Sequence, residues 1–128
     1  MDRTKFDTAL SHLGKPAYQA ENVAIYNIDC IDAMKVLPNS LVDLTVTSPP
    51  YNIGKEYEDI VEINDYVAWC TEWISQIHRV TKCNGSFWLN IGYLAVAQKG
   101  LAVPIPYLLW DKTDFYLLQE IVWNYSAG

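Results

Sequence analysis

The chain has no Cys-x-x-Cys pair, no cluster of cysteines and histidines, and no glycine-rich loop of the kind that cradles a phosphate. Its three cysteines, Cys30, Cys70 and Cys83, are odd in number and far apart. This excludes a disulfide framework and a zinc site, so no metal is expected and the thiols read as buried structural ones in a reduced protein. No apolar run approaches the roughly 20 residues of a membrane span. Met1 to Lys15 has mixed charge and lacks the apolar stretch of a secretory signal. The expectation is a cytoplasmic protein with no membrane contact. Basic residues are also few, 9 Lys and Arg against 15 Asp and Glu, for a net charge of -6. A surface of this sign does not by itself bind nucleic acid, because phosphate contacts need Lys and Arg. Either the partner is not nucleic acid, or the basic surface lies on another segment.

What the chain does have is apolar and aromatic content. Of its 128 residues 51% are hydrophobic, with Trp 5, Tyr 9 and Phe 3. That suffices for one core and is too little for two. Residues 1–20 are polar and read as an N-terminal arm or short helix. Asn22–Ile28 reads as a strand ending at Asp29, followed by a short helix over Asp32–Leu37 that Pro38-Asn39-Ser40 breaks. Leu41–Thr47 is β-branched and nearly all apolar, the pattern of a strand covered on both faces. After a loop, Tyr66, Cys70, Trp73, Ile77 and Val80 step by four, three, four and three, one apolar stripe of a helix that Asn64 or Asp65 can cap. Cys83-Asn84-Gly85 reads as a glycine turn, Ser86–Ile91 as a buried strand, and residues 92–103 as a loop. Pro104 or Pro106 opens a helix to about Lys112, and Leu117–Tyr125 reads as a last strand. The alternation predicts an α/β fold, mostly a parallel sheet with helices on both faces. An open sheet that stops after a strand leaves an unprotected edge, which points to a continuation or a pairing piece.

The chemistry concentrates in Thr47-Ser48-Pro49-Pro50-Tyr51-Asn52, at the carboxyl end of a predicted central strand, where open α/β sheets place ligands. Two prolines stiffen the backbone and contribute carbonyls without N–H groups. Ser48 adds a hydroxyl and Tyr51 a flat ring. Rigid acceptors beside an aromatic face suit a planar group that bears an NH2.

Thr47-Ser48-Pro49-Pro50-Tyr51 resembles the catalytic motif of the amino-group DNA methyltransferases, Asp/Asn/Ser-Pro-Pro-Tyr/Phe/Trp. Tyr26-Asn27-Ile28-Asp29-Cys30, Asn84-Gly85-Ser86-Phe87-Trp88-Leu89-Asn90 and Glu120-Ile121-Val122-Trp123-Asn124 resemble flanking elements of the same family. The likeness covers roughly residues 20–128. It implies a partial Rossmann-like methyltransferase fold, S-adenosylmethionine as cofactor, and double-stranded DNA with a flipped target base as substrate. It implies that the base stacks on Tyr51, that its amino hydrogens bond Ser48 and the Pro49 carbonyl, and that Pro50 completes a catalytic set of Ser48, Pro49, Pro50 and Tyr51. Asp29, Thr47 and Asn52 fall at cofactor-facing positions. Asp29 reads equally as a helix cap, and Asn52 as the residue that holds the loop. Lys55 reads as a solvated lysine before a phosphate ligand, His78 as a surface residue, and Trp88 and Trp123 as core.

The family's Phe-x-Gly-x-Gly cofactor loop is absent. Only Gly14 precedes the motif, in a polar stretch. The permuted class of these enzymes places the catalytic region first and the cofactor loop later. Residues 21–128 are then the catalytic half of a methyltransferase domain, without cofactor loop or target-recognition region. The chain is expected to be a fragment, or else one subunit of a split enzyme, completed by a C-terminal half or a complementary subunit. The serine at the first motif position resembles the cytosine-N4 enzymes more than the adenine-N6 ones, which usually carry aspartate, so the resemblance implies cytosine N4 over adenine N6. The alternatives are a non-catalytic binding or assembly module with this fold, an RNA or protein amide methyltransferase, and, least supported, a nucleotide-binding domain without a phosphate loop.

Overall fold

The computed structural model describes residues 3–54, 56, 59–96 and 101–124. In chain order it comprises helix α1 (Arg3–Leu13), strands β1 (Tyr18–Ala20) and β2 (Val23–Ile25), helix α2 (Cys30–Val36), strand β3 (Val42–Thr47), helix α3 (Ile63–Val80), strands β4 (Thr81–Leu89), β5 (Tyr93–Val96) and β6 (Leu101–Pro104), and helix α4 (Ile105–Leu109). Among the described residues no helix is long and apolar enough to cross a membrane.

The βαβ unit β3–α3–β4 carries the core. Helix α3 buries Tyr66, Cys70, Trp73, Ile74, Ile77 and Val80, the stripe its 3.6-residue period requires. Leu94, Ile105 and Leu109 close the same cluster, so α4 and the β5–β6 pair pack on α3. Trp73 meets Phe87 of β4 edge to face, with ring centroids 6.2 Å apart. Helix α3 starts at Ile63 behind Glu62, which makes no side-chain cap, so neither Asn64 nor Asp65 has the capping role.

The far end of α3 differs from the expected glycine turn. The helix passes directly into β4, and Cys83, Asn84 and Gly85 lie within the strand. Thr81, itself buried, turns the chain by donating its hydroxyl to the Ile77 carbonyl at 2.7 Å. Strand β4 then pairs with β3 in parallel, Val42 opposite Thr81 but Leu44 opposite Ser86, a shift that bulges β4. A Cβ on Gly85 would stand 2.6 Å from Thr81 Cγ2 and 3.0 Å from the Asp43 carbonyl. The glycine serves close backbone approach at this bulge, a different use of its missing side chain from a turn.

The expected mostly parallel sheet is corrected by the pairing. Among the described residues only β3 and β4 are parallel, while β1–β2 and β5–β6 pair antiparallel as two-stranded sheets. The run Asn22–Ile28 contributes only Val23–Ile25, which fold back on Tyr18–Ala20, with Gln19 opposite Ala24. Local pairing across a short turn thus takes the hydrogen bonds a central strand would have given a distant neighbour. Residues 92–103, read as a loop, contain the β5–β6 pair, with Leu94 opposite Val103. Residues 117–124 of the expected last strand carry no strand, and Tyr125, like Lys55, lies outside the described residues.

Helices on both faces are also not found. Thr45, Thr47, Phe87 and Leu89 of the parallel pair are half-buried, whereas Leu44 (54% exposed), Val46 (69%) and Trp88 (53%) face away from α3 and stay open. Trp88 and Trp123 are therefore not core residues here. Among the described residues nothing covers that side. The total accessible surface is 9649 Å², against roughly 6,900 Å² for a folded monomer of this mass.

Helix α2 is joined to α3 by Arg79. Its Nη1 donates to the Leu37 carbonyl and to Asn39 Oδ1, both at 2.8 Å, its Nη2 to the Met34 carbonyl, and its Nε to Gln76 Oε1 at 3.0 Å. A guanidinium thus satisfies carbonyls at the end of α2, where a cation also suits the helix dipole. Of the thiols only Cys70 is buried, while Cys30 and Cys83 are exposed, contrary to three structural thiols. Burial pushes the Cys70 thiol up to about 11.

Candidate active site

Strand β3 ends at Thr47, opposite Leu89 of β4, and the ladder continues one step with Asn90 N–H donating to the Thr47 carbonyl at 2.9 Å. Parallel register therefore sets Asn90 beside the first residue past β3, Ser48. The two prolines that follow cannot continue the ladder, so the chain leaves the sheet here and Ser48-Pro49-Pro50-Tyr51 forms a turn at its carboxyl edge.

Three polar groups meet in that turn. Ser48 Oγ lies 2.9 Å from the Tyr51 hydroxyl. Asn90 Nδ2 donates to the Tyr51 hydroxyl at 3.0 Å and to Ser48 Oγ at 3.3 Å. The Tyr51 ring is half-buried against the core cluster, and a Cβ on Gly92 would come within 3.1 Å of its Cδ2. From below, Tyr66 of α3 donates its hydroxyl to the Pro50 carbonyl at 2.7 Å. Among the described residues no donor takes the Pro49 carbonyl, which leaves it as an acceptor. Beside the turn opens a cleft of about 520 Å³, lined by Tyr51, Asn90, Tyr93, Pro106, Glu120 and Trp123 among others. That volume is in the range of small-molecule sites.

The side chains of the remaining sequence-predicted residues make no hydrogen bond to this cluster among the described residues. Asn52 follows the turn with φ +59°. Its Nδ2 donates to the Val61 carbonyl and its Oδ1 accepts from the Val61 N–H, both at 2.8 Å. Its amide thus ties residue 52 to residue 61 at both ends. Asp29 Oδ1 accepts from the N–H groups of Ile31 (2.8 Å) and Asp32 (3.1 Å) and so caps α2. Among the described residues Asp29 makes no hydrogen bond to the turn. Thr47 is half-buried at the end of β3 with its carbonyl given to Asn90. The second oxygen of Asp29 and the Thr47 hydroxyl remain open to a ligand, and among the described residues no glycine cradle accompanies them. His78 is exposed on α3, with its ring 5.0 Å from that of Phe115. Among the described residues no three His, Cys, Asp or Glu gather as a metal group would require.

Asn90 and Gly92 escape a reading of the sequence alone. The available signal was positional: a polar residue that ends an apolar strand predicted to lie beside the motif strand occupies the same sheet edge as the motif.

Comparison with known proteins gives this geometry a context. Residues 42–128 match the model of a DNA methylase family, the N6/N4 methyltransferases. The chain is 56% identical over 116 residues to the type II methyltransferase M.ScaI of Streptomyces caespitosus, covering 91% of this chain and 38% of that protein. It is 36% identical over 107 residues to the type II methyltransferase M.BglII of Bacillus subtilis, covering 81% and 29%. It is 30% identical over 112 residues to the DNA adenine methyltransferase YhdJ of Escherichia coli strain K12, covering 84% and 35%. The chain therefore spans well under half the length of these relatives.

Proposed function

The chain belongs to the DNA methylase family of N6/N4 methyltransferases, and we propose that it is the catalytic segment of a site-specific DNA amino-methyltransferase. The observation that carries this reading is the Ser48–Tyr51–Asn90 cluster at the carboxyl edge of a parallel strand, beside an open cleft. The substrate is a base of double-stranded DNA, flipped out of the helix because its amino nitrogen is otherwise paired. Cytosine N4 is favoured over adenine N6 because a serine at the first motif position, here Ser48, resembles the cytosine-N4 enzymes more than the adenine-N6 ones. The likeness to an adenine methyltransferase keeps N6 as the second reading.

S-adenosylmethionine, when bound, supplies an electrophilic methyl group on a sulfonium. The residues of this chain act on the acceptor. Ser48 Oγ and the Pro49 carbonyl accept the two amino hydrogens, which pulls the nitrogen lone pair out of conjugation with the ring. The Tyr51 ring stacks on the base and fixes its plane. The amino nitrogen would bond the methyl carbon as the sulfur–methyl bond breaks to leave a neutral thioether, and the cationic nitrogen would then give up one proton to water at the exposed turn. Rate comes from orientation and from dipoles that meet the positive charge growing on nitrogen. Asp29 and Thr47 can contribute to holding the donor, and we place the rest of its pocket outside this chain, because no glycine-rich cradle stands among the described residues. We place the cofactor loop and the basic target-recognition region there as well, after the catalytic turn in the permuted order. Two observations support a complementary half or subunit: the relatives are far longer, and Leu44, Val46 and Trp88 leave an apolar sheet face open. The -6 charge agrees, since phosphate contacts must come from elsewhere.

The test is methyl transfer from labelled S-adenosylmethionine to DNA by the chain with its complementing half, followed by digestion and chromatography of the nucleosides. N4-methylcytosine is expected, and N6-methyladenine would move the assignment to the second reading. Ser48→Ala is expected to lower kcat about 100-fold or more. Transfer unaffected by Ser48→Ala, or no transfer at all, refutes the proposal.

A further inference from the structure

Asn90 offers an amide to both hydroxyls of the catalytic turn, and the hydrogen count at those hydroxyls is restrictive. A hydroxyl has one hydrogen and two acceptor positions. Asn90 Nδ2 fills one acceptor position on Ser48 Oγ and one on Tyr51 Oη. The 2.9 Å contact between the hydroxyls consumes one more hydrogen. If Tyr51 donates it, both acceptor positions of Ser48 are filled and Ser48 can only donate outward, towards the hydrogens of an amine. If Ser48 donates it, Ser48 retains one open acceptor position. Only the second arrangement receives an amino hydrogen, and Asn90 leaves Ser48 a single direction in which to do so.

Resting on the methyltransferase reading above, we infer that Asn90 is a positioning residue that sets Ser48 as a one-directional acceptor and holds Tyr51 by its hydroxyl. Its place is fixed by register, through the Asn90 N–H bond to the Thr47 carbonyl. Two residues on, Gly92 leaves the space the Tyr51 ring occupies. The segment Asn90-Ile91-Gly92 is then a second half of the site, supplied by the neighbouring strand. Asn90 does not itself touch the reacting atoms.

Asn90→Leu keeps the side-chain size and removes the donor. Asn90→Asp turns the contact around, because a carboxylate accepts the Tyr51 hydrogen, Ser48 donates its own to Tyr51, and Ser48 stays open as an acceptor. In the full chain with its complementing half, Asn90→Leu is expected to lower kcat about 10- to 100-fold, with KM for S-adenosylmethionine changed less than about twofold. Asn90→Asp is expected to recover most of that loss above pH 7, and to add an acid limb to the pH profile that the parent lacks, as the carboxylate protonates. Independently of turnover, the Asn90 side-chain amide pair in a nitrogen-edited proton NMR spectrum is expected to shift on Ser48→Ala and again on Tyr51→Phe. If the parent protein transfers nothing, the methyltransferase reading fails, and the NMR shifts alone decide whether Asn90 holds the two hydroxyls. If the parent is active, the inference is overturned by a parent-like kcat for Asn90→Leu, by equal losses in the Leu and Asp variants, or by an amide pair that does not move.

Discussion

Asn52 is the position where holding a loop and touching a cofactor make opposite predictions. Both ends of its amide bond the backbone of Val61 at 2.8 Å, and its own backbone sits at φ +59°. A net intramolecular hydrogen bond contributes about 0.5 to 1.5 kcal/mol. Asn52 is only half-buried, so water compensates in part and the pair together contributes about 1 to 2 kcal/mol. Asn tolerates the left-handed region, whereas alanine there costs about 1 kcal/mol more. Asn52→Ala should therefore destabilise by about 2 to 3 kcal/mol, and Asn52→Gly, which loses the bonds but not the conformation, by about 1 kcal/mol less. Urea denaturation followed by tryptophan fluorescence measures both, and limited proteolysis reports whether the loop 52–61 has opened. Because the loop begins one residue after Tyr51, both variants should lower kcat for methyl transfer while KM for the cofactor stays near that of the parent. An Asn52→Ala variant within 0.5 kcal/mol of the parent, or one whose chief effect is on cofactor KM, refutes the loop-holding account and returns Asn52 to the cofactor.

Arg79→Met keeps the side-chain bulk but strips the Met34 and Leu37 carbonyls of their charged donor. It should cost about 2 to 3 kcal/mol in urea denaturation, with Arg79→Lys recovering only part, since an ammonium cannot reproduce the guanidinium fork. Cys70 should resist a thiol reagent in the folded protein while Cys30 and Cys83 react, all three reacting after unfolding. Its raised thiol also predicts a pH dependence. The folded value of about 11 lies above the reference 9.0, so the native state holds a proton that the unfolded state gives up. The stabilising contribution is fully present below pH 9 and is lost as pH rises towards 11, by up to about 1.4 kcal/mol per unit. The difference in urea midpoint between the parent and Cys70→Ala, followed from pH 8 to 11, isolates that slope from other titrating groups.

The parts of the fold written in periodicity were legible. The stripe Tyr66, Cys70, Trp73, Ile77 and Val80 forms the buried face of α3, the apolar run before the motif is β3, and Pro104 precedes α4. Where the reading failed, one local signal had two physical uses. Asn84-Gly85 marks a turn by composition, but a missing Cβ equally serves the close approach of Asp43 at a bulge. The apolar Leu44 and Val46 report that their face can be buried, not that something in this chain covers it. Val23–Ile25 and Tyr93–Val96 are strands only through antiparallel partners a few residues away, and pairing of that kind is not a property of either run alone. At the site, Ser48 to Tyr51 stood out because two prolines and an aromatic are rare together. Asn90 did not, because its meaning depends on a register 42 residues away from Ser48.

The Ser48–Tyr51 turn is exposed at Ser48 and Pro50, so burial does not fix it. Its geometry rests on discrete ties instead: Tyr66 to the Pro50 carbonyl, Asn52 to Val61, and Asn90 to Ser48 and Tyr51. Each is a neutral hydrogen bond contributing about 1 kcal/mol net, too little to hold the turn by itself against the entropy of ordering it. Together they reach it from three different elements, the core helix α3, the loop before that helix, and the strand beside β3. If the turn acts as proposed, the absence of positive charge has a chemical use. An amino group that is to attack a sulfonium must remain uncharged, and a fixed positive charge at the turn would oppose the charge that develops on nitrogen. Carbonyls and hydroxyls orient the amine and favour that developing charge without competing for the methyl group as a strong nucleophile would. On that reading, a need for preorganised acceptors and no nearby positive charge suits a turn of two prolines, poor in N–H groups, at this edge of the sheet.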